Sequence, residues 1–149
     1  MSLLRRVRLR VPAGTAKPGP AIGQALGPLG LNMMEFCKAF NAETAAIIPN
    51  TPMQVSLAAY SNRTFTFKIK SPPTSWFLKR CAAVEKGAGK TVHEMVGSVH
   101  VKHIYEIAKV KQKDYHLSHL PLRSICRMIF GTCGTMGLKV DGLKDAPPV

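Results

Sequence analysis

Acidic side chains are scarce in this chain: eight Asp and Glu stand against 21 Lys and Arg, leaving a formal charge of +13 on 149 residues. General acid–base chemistry wants carboxylates held near one another, and these eight are scattered, so no paired-carboxylate site is indicated. No Cys-x-x-Cys pair occurs among Cys37, Cys81, Cys126 and Cys133. That absence disfavours a zinc site or a disulfide framework and leaves buried, reduced thiols as the better reading. No apolar run approaches the length of a membrane-spanning helix, so no membrane partner is expected. No Ser/His/Asp or Cys/His grouping has supporting context, and the pairs His100/His103 and His116/His119 lack further metal ligands. Surface or RNA-facing histidines fit them better. An enzyme, a cofactor and a small-molecule substrate are all unindicated.

What the chain does have is positive charge, and it is spread evenly. Residues 1–70 hold nine cations and two acids, and residues 71–149 hold twelve cations and six acids. Such an excess repels itself in isolation and signals a polyanionic partner. The hydrophobic fraction of 46% is ample for a core, so the charge sits on folded regions and not on a disordered tail. The start, with four arginines and no acid in its first ten residues, has the composition of a mitochondrial targeting segment. Val7-Arg8-Leu9-Arg10-Val11 alternates strictly, however, and reads as a half-buried strand.

Residues 12–30 contain four prolines and five glycines, which oppose a long helix and predict a shaped loop with one helical turn around Ile22–Leu26. It serves as either a docking loop or a rigid connector. Asn32 then caps a helix with Glu35 three residues on and Met33, Phe36, Cys37 and Phe40 on one face. Met53–Tyr60 and Thr64–Lys70, joined by Ser61-Asn62-Arg63, predict a hairpin. With the first strand this makes a three-stranded α/β layer over residues 1–70.

Ser71-Pro72-Pro73 marks the boundary, since two prolines end the strand and stiffen the chain; Pro72 and Pro73 are expected to act as a hinge. Residues 74–142 read as a three-helix domain, giving an α+β protein of two small domains, with 143–149 a short tail. The first helix, capped by Thr74 or Ser75, reaches about Val84, and residues 85–97 form a basic loop. The second runs from Val101 to about Lys111 with Ile104, Ile107 and Ala108 inward. The third, capped by Ser118 with Pro121 in its first turn, turns Leu122, Ile125, Cys126, Ile129, Phe130 and Cys133 inward. Phe36, Phe40, Phe65, Phe67 and Phe77 read as core, whereas Trp76, near the hinge, is open.

Two segments carry the functional signal. Lys86-Gly87-Ala88-Gly89-Lys90-Thr91 ends like a phosphate-binding loop, but the earlier glycine that such a loop requires falls at Val84, and a helix precedes it instead of a strand. Nucleotide hydrolysis is therefore disfavoured; a basic loop that orders on RNA and a solvated loop both remain. Phe130-Gly131-Thr132-Cys133-Gly134-Thr135-Met136-Gly137 places small and hydroxyl-bearing residues beside Arg123 and Arg127. That suits a surface pressed on a nucleic-acid backbone, and it equally suits a helix loosening at a glycine-rich end.

Read in order, Pro18-x-Pro20, Gly23-x-Ala25-Leu26-Gly27, the run Asn32 to Asn41, Arg63-x-Phe65-Thr66-Phe67, Leu78-Lys79-Arg80-x-Ala82, Tyr105-Glu106-Ile107-Ala108 and Gly131-Thr132-x-x-Thr135-Met136-Gly137 resemble the family of ribosomal protein eleven of the large subunit. The likeness spans nearly the whole chain, and residues 103–112 are most similar to mitochondrial members, which implies a ribosome of the mitochondrial matrix, with bacterial cytoplasm or plastid as the alternative. The resemblance implies a carboxy-terminal domain that binds large-subunit rRNA at the stalk base. It also implies an amino-terminal domain facing translational GTPases, elongation and release factors and a neighbouring stalk protein, with no chemistry of its own. A non-ribosomal RNA-binding regulator is the rival.

Carried over by position, the resemblance assigns Lys79, Arg80, Gly87, Gly89, Lys90, Arg127, Gly131, Thr132, Thr135 and Gly137 to rRNA, and Lys86 joins them on charge. It assigns Pro18, Pro20, Gly23 and Gln24 to a face that meets factors, rRNA and, in bacterial members, thiopeptide antibiotics. Three positions depart from the family pattern. Ala83 stands where glycine is common, which bears on close RNA approach. Gly134 replaces an arginine, shifting weight to Arg127. Gln24 replaces a proline, which bears on antibiotic sensitivity.

Overall fold

The computed structural model describes residues 2–143, and the chain divides after Pro72 into two compact units. The first contains β1 (Leu3–Pro12), α1 (Pro20–Leu26), a 3-10 turn (Gly27–Leu29), α2 (Met33–Glu43), β2 (Pro52–Tyr60) and β3 (Phe65–Lys70). The strands form one antiparallel sheet in the order β1-β2-β3. Its register puts Val7 opposite Leu57, Leu9 opposite Val55 and Val11 opposite Met53, so the apolar alternation of each strand falls on a single face. Phe36 and Phe40 of α2 are fully buried over that face, with Phe36 meeting Phe67 edge-on at 5.5 Å between ring centroids. Asn32 caps α2 as expected, its side chain accepting from the Met34 N–H at 3.1 Å.

The proline-rich segment is longer in helix than its sequence suggests. Pro20 opens α1 because a helix's first residue needs no N–H partner, and Ile22 and Leu26 are buried below it. Side chains of α2 fasten the approach to it. Asn41 accepts from the Ala16 N–H at 2.9 Å and donates back to the Ala16 carbonyl at 3.1 Å. The buried Thr44 hydroxyl accepts from the Gly14 N–H at 3.0 Å and donates to the Phe40 carbonyl at 2.8 Å. Irregular backbone is thus satisfied by helix side chains, as buried polar groups require.

The second unit contains α3 (Thr74–Ala82), β4 (Gly97–His100), α4 (Val101–Gln112), α5 (Leu122–Met136) and β5 (Leu138–Asp141). Leu78, Ile104, Ile107, Ile125, Ile129 and Cys133 pack the three helices together. β4 and β5 add a parallel pair that the sequence reading omitted, with Val99 opposite Val140. At four residues each, they are too short to show alternation.

Three further expectations are corrected. Ser118 does not cap α5: its hydroxyl donates to the Tyr115 carbonyl at 3.2 Å, and the helix begins after Pro121. Neither Thr74 nor Ser75 caps α3, which starts at Thr74 behind Pro73. Phe130 points outward, 38% exposed, because it lies at the border of the apolar arc. His100 has a role the sequence did not disclose, capping α4 by accepting from the Lys102 N–H at 3.1 Å. The cysteines are free, and burial pushes the Cys133 thiol up to about 11. The expected tail beyond Leu143 lies outside the described residues.

Replacing Asn41 with alanine leaves the Ala16 N–H and carbonyl without their partner. Denaturant unfolding is expected to show a loss of about 1–3 kcal/mol, with faster proteolysis between residues 14 and 20.

Candidate nucleic-acid interface

Helix α5 owes its inward face to Ile125, Ile129 and Cys133, recurring at four residues. At 100° per residue, Arg123, Arg127, Phe130, Gly131 and Gly134 then share an arc of about 100° on the outer side. All five are exposed. A Cβ built on Gly131 or on Gly134 meets nothing within 4 Å, so the stripe ends in a bare patch of helix surface. Two arginines lead into a stretch where another backbone can approach closely.

The threonines beside this stripe are less free than their sequence suggests. The Thr132 hydroxyl donates to the Met128 carbonyl at 3.0 Å, and the Thr135 hydroxyl donates to the Thr132 carbonyl at 2.7 Å. In this arrangement both oxygens present acceptor lone pairs outward, which suit a donor such as a ribose 2′-OH.

Loop 85–96 is tied to the end of α5. The Ala88 N–H donates to the Met136 carbonyl at 3.0 Å, and the Val96 N–H donates to the Gly137 carbonyl at 3.0 Å. Gly87 sits against Met136, and Lys86, Gly89 and Lys90 are exposed from the same loop. Gly137 departs from the RNA-facing expectation. It is buried at φ +71°, and an added Cβ would lie 2.5 Å from the Ala88 Cβ and 2.6 Å from the Glu94 carbonyl oxygen. Its close neighbour is the protein's own loop.

Lys79 and Arg80 occupy the last turn of α3, where cations oppose the negative end of the helix dipole. The Arg80 guanidinium lies over the Trp76 ring at 5.1 Å from its centroid, which gives Trp76 a positioning role that its sequence context left open. Ala83 ends the helix at φ +54°, with the Val84 N–H donating to the Lys79 carbonyl at 3.1 Å. The left-handed backbone here is itself a physical reason for glycine at this position. In the first unit Pro18, Pro20 and Gln24 are exposed, while Gly23 faces the Met33 sulfur, 3.6 Å from where a Cβ would stand. Tyr105, one of the residues that carry the resemblance, is exposed with the Lys109 ammonium 4.4 Å from its ring centroid.

Residues 7–65 match the family model "Ribosomal protein L11, N-terminal domain" and residues 70–140 match "Ribosomal protein L11, RNA binding domain". The chain belongs to the ribosomal protein L11 family. It is a ribosomal protein and not an enzyme. Among L11 relatives, "Large ribosomal subunit protein uL11m" of Schizosaccharomyces pombe is 47% identical over 134 residues, covering 90% of this chain and 93% of the relative. "Large ribosomal subunit protein uL11" of Afipia carboxidovorans is 45% identical over 136 residues, covering 91% and 94%. The candidate interface, from α3 through α5, falls within the L11 RNA-binding domain.

Gly137→Ala is expected to destabilise the second unit by about 2–4 kcal/mol, through a strained φ and a backbone clash, as read by thermal unfolding. Ala83→Gly acts in the opposite direction and is expected to add about 0.5–1 kcal/mol, since relief of the left-handed alanine exceeds the entropy glycine loses on folding.

Proposed function

We propose that this chain is a structural constituent of the large ribosomal subunit whose second unit binds the stalk-base rRNA fold. The observation that carries the reading is the bare outer patch of α5, flanked by Arg123 and Arg127 and neighboured by the basic loop anchored to its end. Folded RNA is recognised by shape, backbone and 2′-OH groups, and this surface offers cations, hydroxyl acceptors and room for close approach. Lys79, Arg80, Lys86, Gly87, Gly89, Lys90, Arg127, Gly131, Thr132 and Thr135 are the proposed rRNA-binding residues, with Gly137 supporting them from within. The exposed Pro18, Pro20 and Gln24, with Gly23 beside them, form the proposed face toward translational GTPases, release factors and the neighbouring stalk protein. Pro72 and Pro73 form the proposed hinge. Likeness to a uL11m supports the mitochondrial ribosome as the location.

The full chain is expected to bind its rRNA segment with affinity falling steeply as salt rises, because phosphate contact releases counterions. Gly131→Ala combined with Thr132→Val is expected to weaken that binding by about 1–3 kcal/mol at unchanged fold, measured by filter binding beside circular dichroism. Unchanged affinity removes these positions from the site. Comigration with large subunits on a sucrose gradient is expected; absence from them favours a free-standing RNA-binding regulator.

A further inference from the structure

The helices of the first unit cover one face of its sheet, and the opposite face carries a second concentration of charge. Arg6, Arg8 and Arg10 alternate with the inward residues of β1 and are exposed. Across the sheet, Arg8 aligns through Ser56 with Lys68, and Arg10 aligns through Gln54 with Lys70. Arg6 aligns through Ala58 with Thr66. Cationic rows on β1 and β3 thus flank a central row of small or neutral residues on β2. Adjacent strands lie about 4.8 Å apart, so the two rows stand about 10 Å from each other, with successive cations about 6.7 Å apart along each row. A recess of about 230 Å³ is lined by Arg8, Leu9, Arg10, Gln54, Val55 and Lys70.

No acid occurs in β1, β2 or β3. Glu35 and Glu43, the two acids among residues 1–70, are both on α2, whose Phe36 packs on the other face from Arg6, Arg8 and Arg10. The row between the cations is Gln54, Ser56 and Ala58, which offers no large apolar anchor. A protein partner's hot spot or a membrane surface would call for one. Arginine forks and a hydrogen-bonding floor suit a chain of phosphates.

We propose that this trough is a second RNA-binding surface, taking the sugar-phosphate backbone of a single strand laid along β2, independently of sequence. Its residues are other than those named for the α5 patch and the proline-rich face, though Arg10 also borders a recess with Pro20, and it stands whether or not the reading of α5 does.

The test uses the full chain and a 20-nucleotide oligouridylate over a salt series. Arg6→Gln/Arg8→Gln/Arg10→Gln is expected to flatten the slope of log affinity against log salt by about 2, at about 0.7 per lost phosphate contact on a single strand. Arg6→Lys/Arg8→Lys/Arg10→Lys is expected to keep the slope, and circular dichroism melting checks that both variants fold. The Gly131→Ala/Thr132→Val variant runs beside them on the same oligonucleotide; loss in the arginine variant with none in that one separates the trough from the α5 patch, whose own test is the folded rRNA segment. An unchanged slope in the glutamine variant overturns the proposal. So does an equal loss in the lysine variant, or a loss seen only with polyglutamate or with phosphatidylserine vesicles, which would assign the trough to an acidic protein or a lipid surface.

Discussion

Two carbonyls at the end of one helix organise the second unit. Met136 and Gly137 accept from Ala88 and Val96, so the closing turn of α5 is also the mooring of the basic loop. A left-handed residue at Gly137 is what lets the chain turn there, and the loop packs so tightly against it that no side chain fits. β5 leaves that turn directly and pairs with β4, which the same loop delivers. Loop, helix end and strand pair therefore stand or fall together. The cations at 86 and 90 gain their position from this arrangement, the Lys90 carbonyl also accepting from the Glu94 N–H at 3.1 Å.

The first unit solves a comparable problem by different means. Its approach to the proline-rich helix is irregular, and hydrogen bonds from Asn41 and Thr44 replace the ladder that regular structure would supply. A rigid loop can then expose Pro18 and Pro20 without the entropy loss that a floppy one would suffer on docking.

Long periodic elements were legible from sequence, because one face of each is buried by a single rule. β1 and β3 alternate at period two, and α5 repeats Ile125, Ile129 and Cys133 at helical spacing. Features set by partners distant in the chain were not legible. Four-residue strands have too few positions to alternate, so β4 and β5 escaped notice. Phe130 is three residues from Cys133 and four from Cys126, a spacing that fits either side of the apolar border. Gly137 resembled its exposed neighbours in a glycine-rich run, and only the returning loop distinguishes it. For the candidate site, residue types and their crowding were readable, but the direction of the threonine hydroxyls was not, because the competing acceptors are the helix's own carbonyls.

Gly131 and Gly134 leave vacant space on an exposed helix, where alanine would raise helical propensity by about 1 kcal/mol at each position. Nothing among the described residues claims that space. Selection for heat resistance alone would fill it, and the proposed contact with RNA would keep it empty. On the proposed reading, these two positions set the demands of the isolated polypeptide against those of its complex.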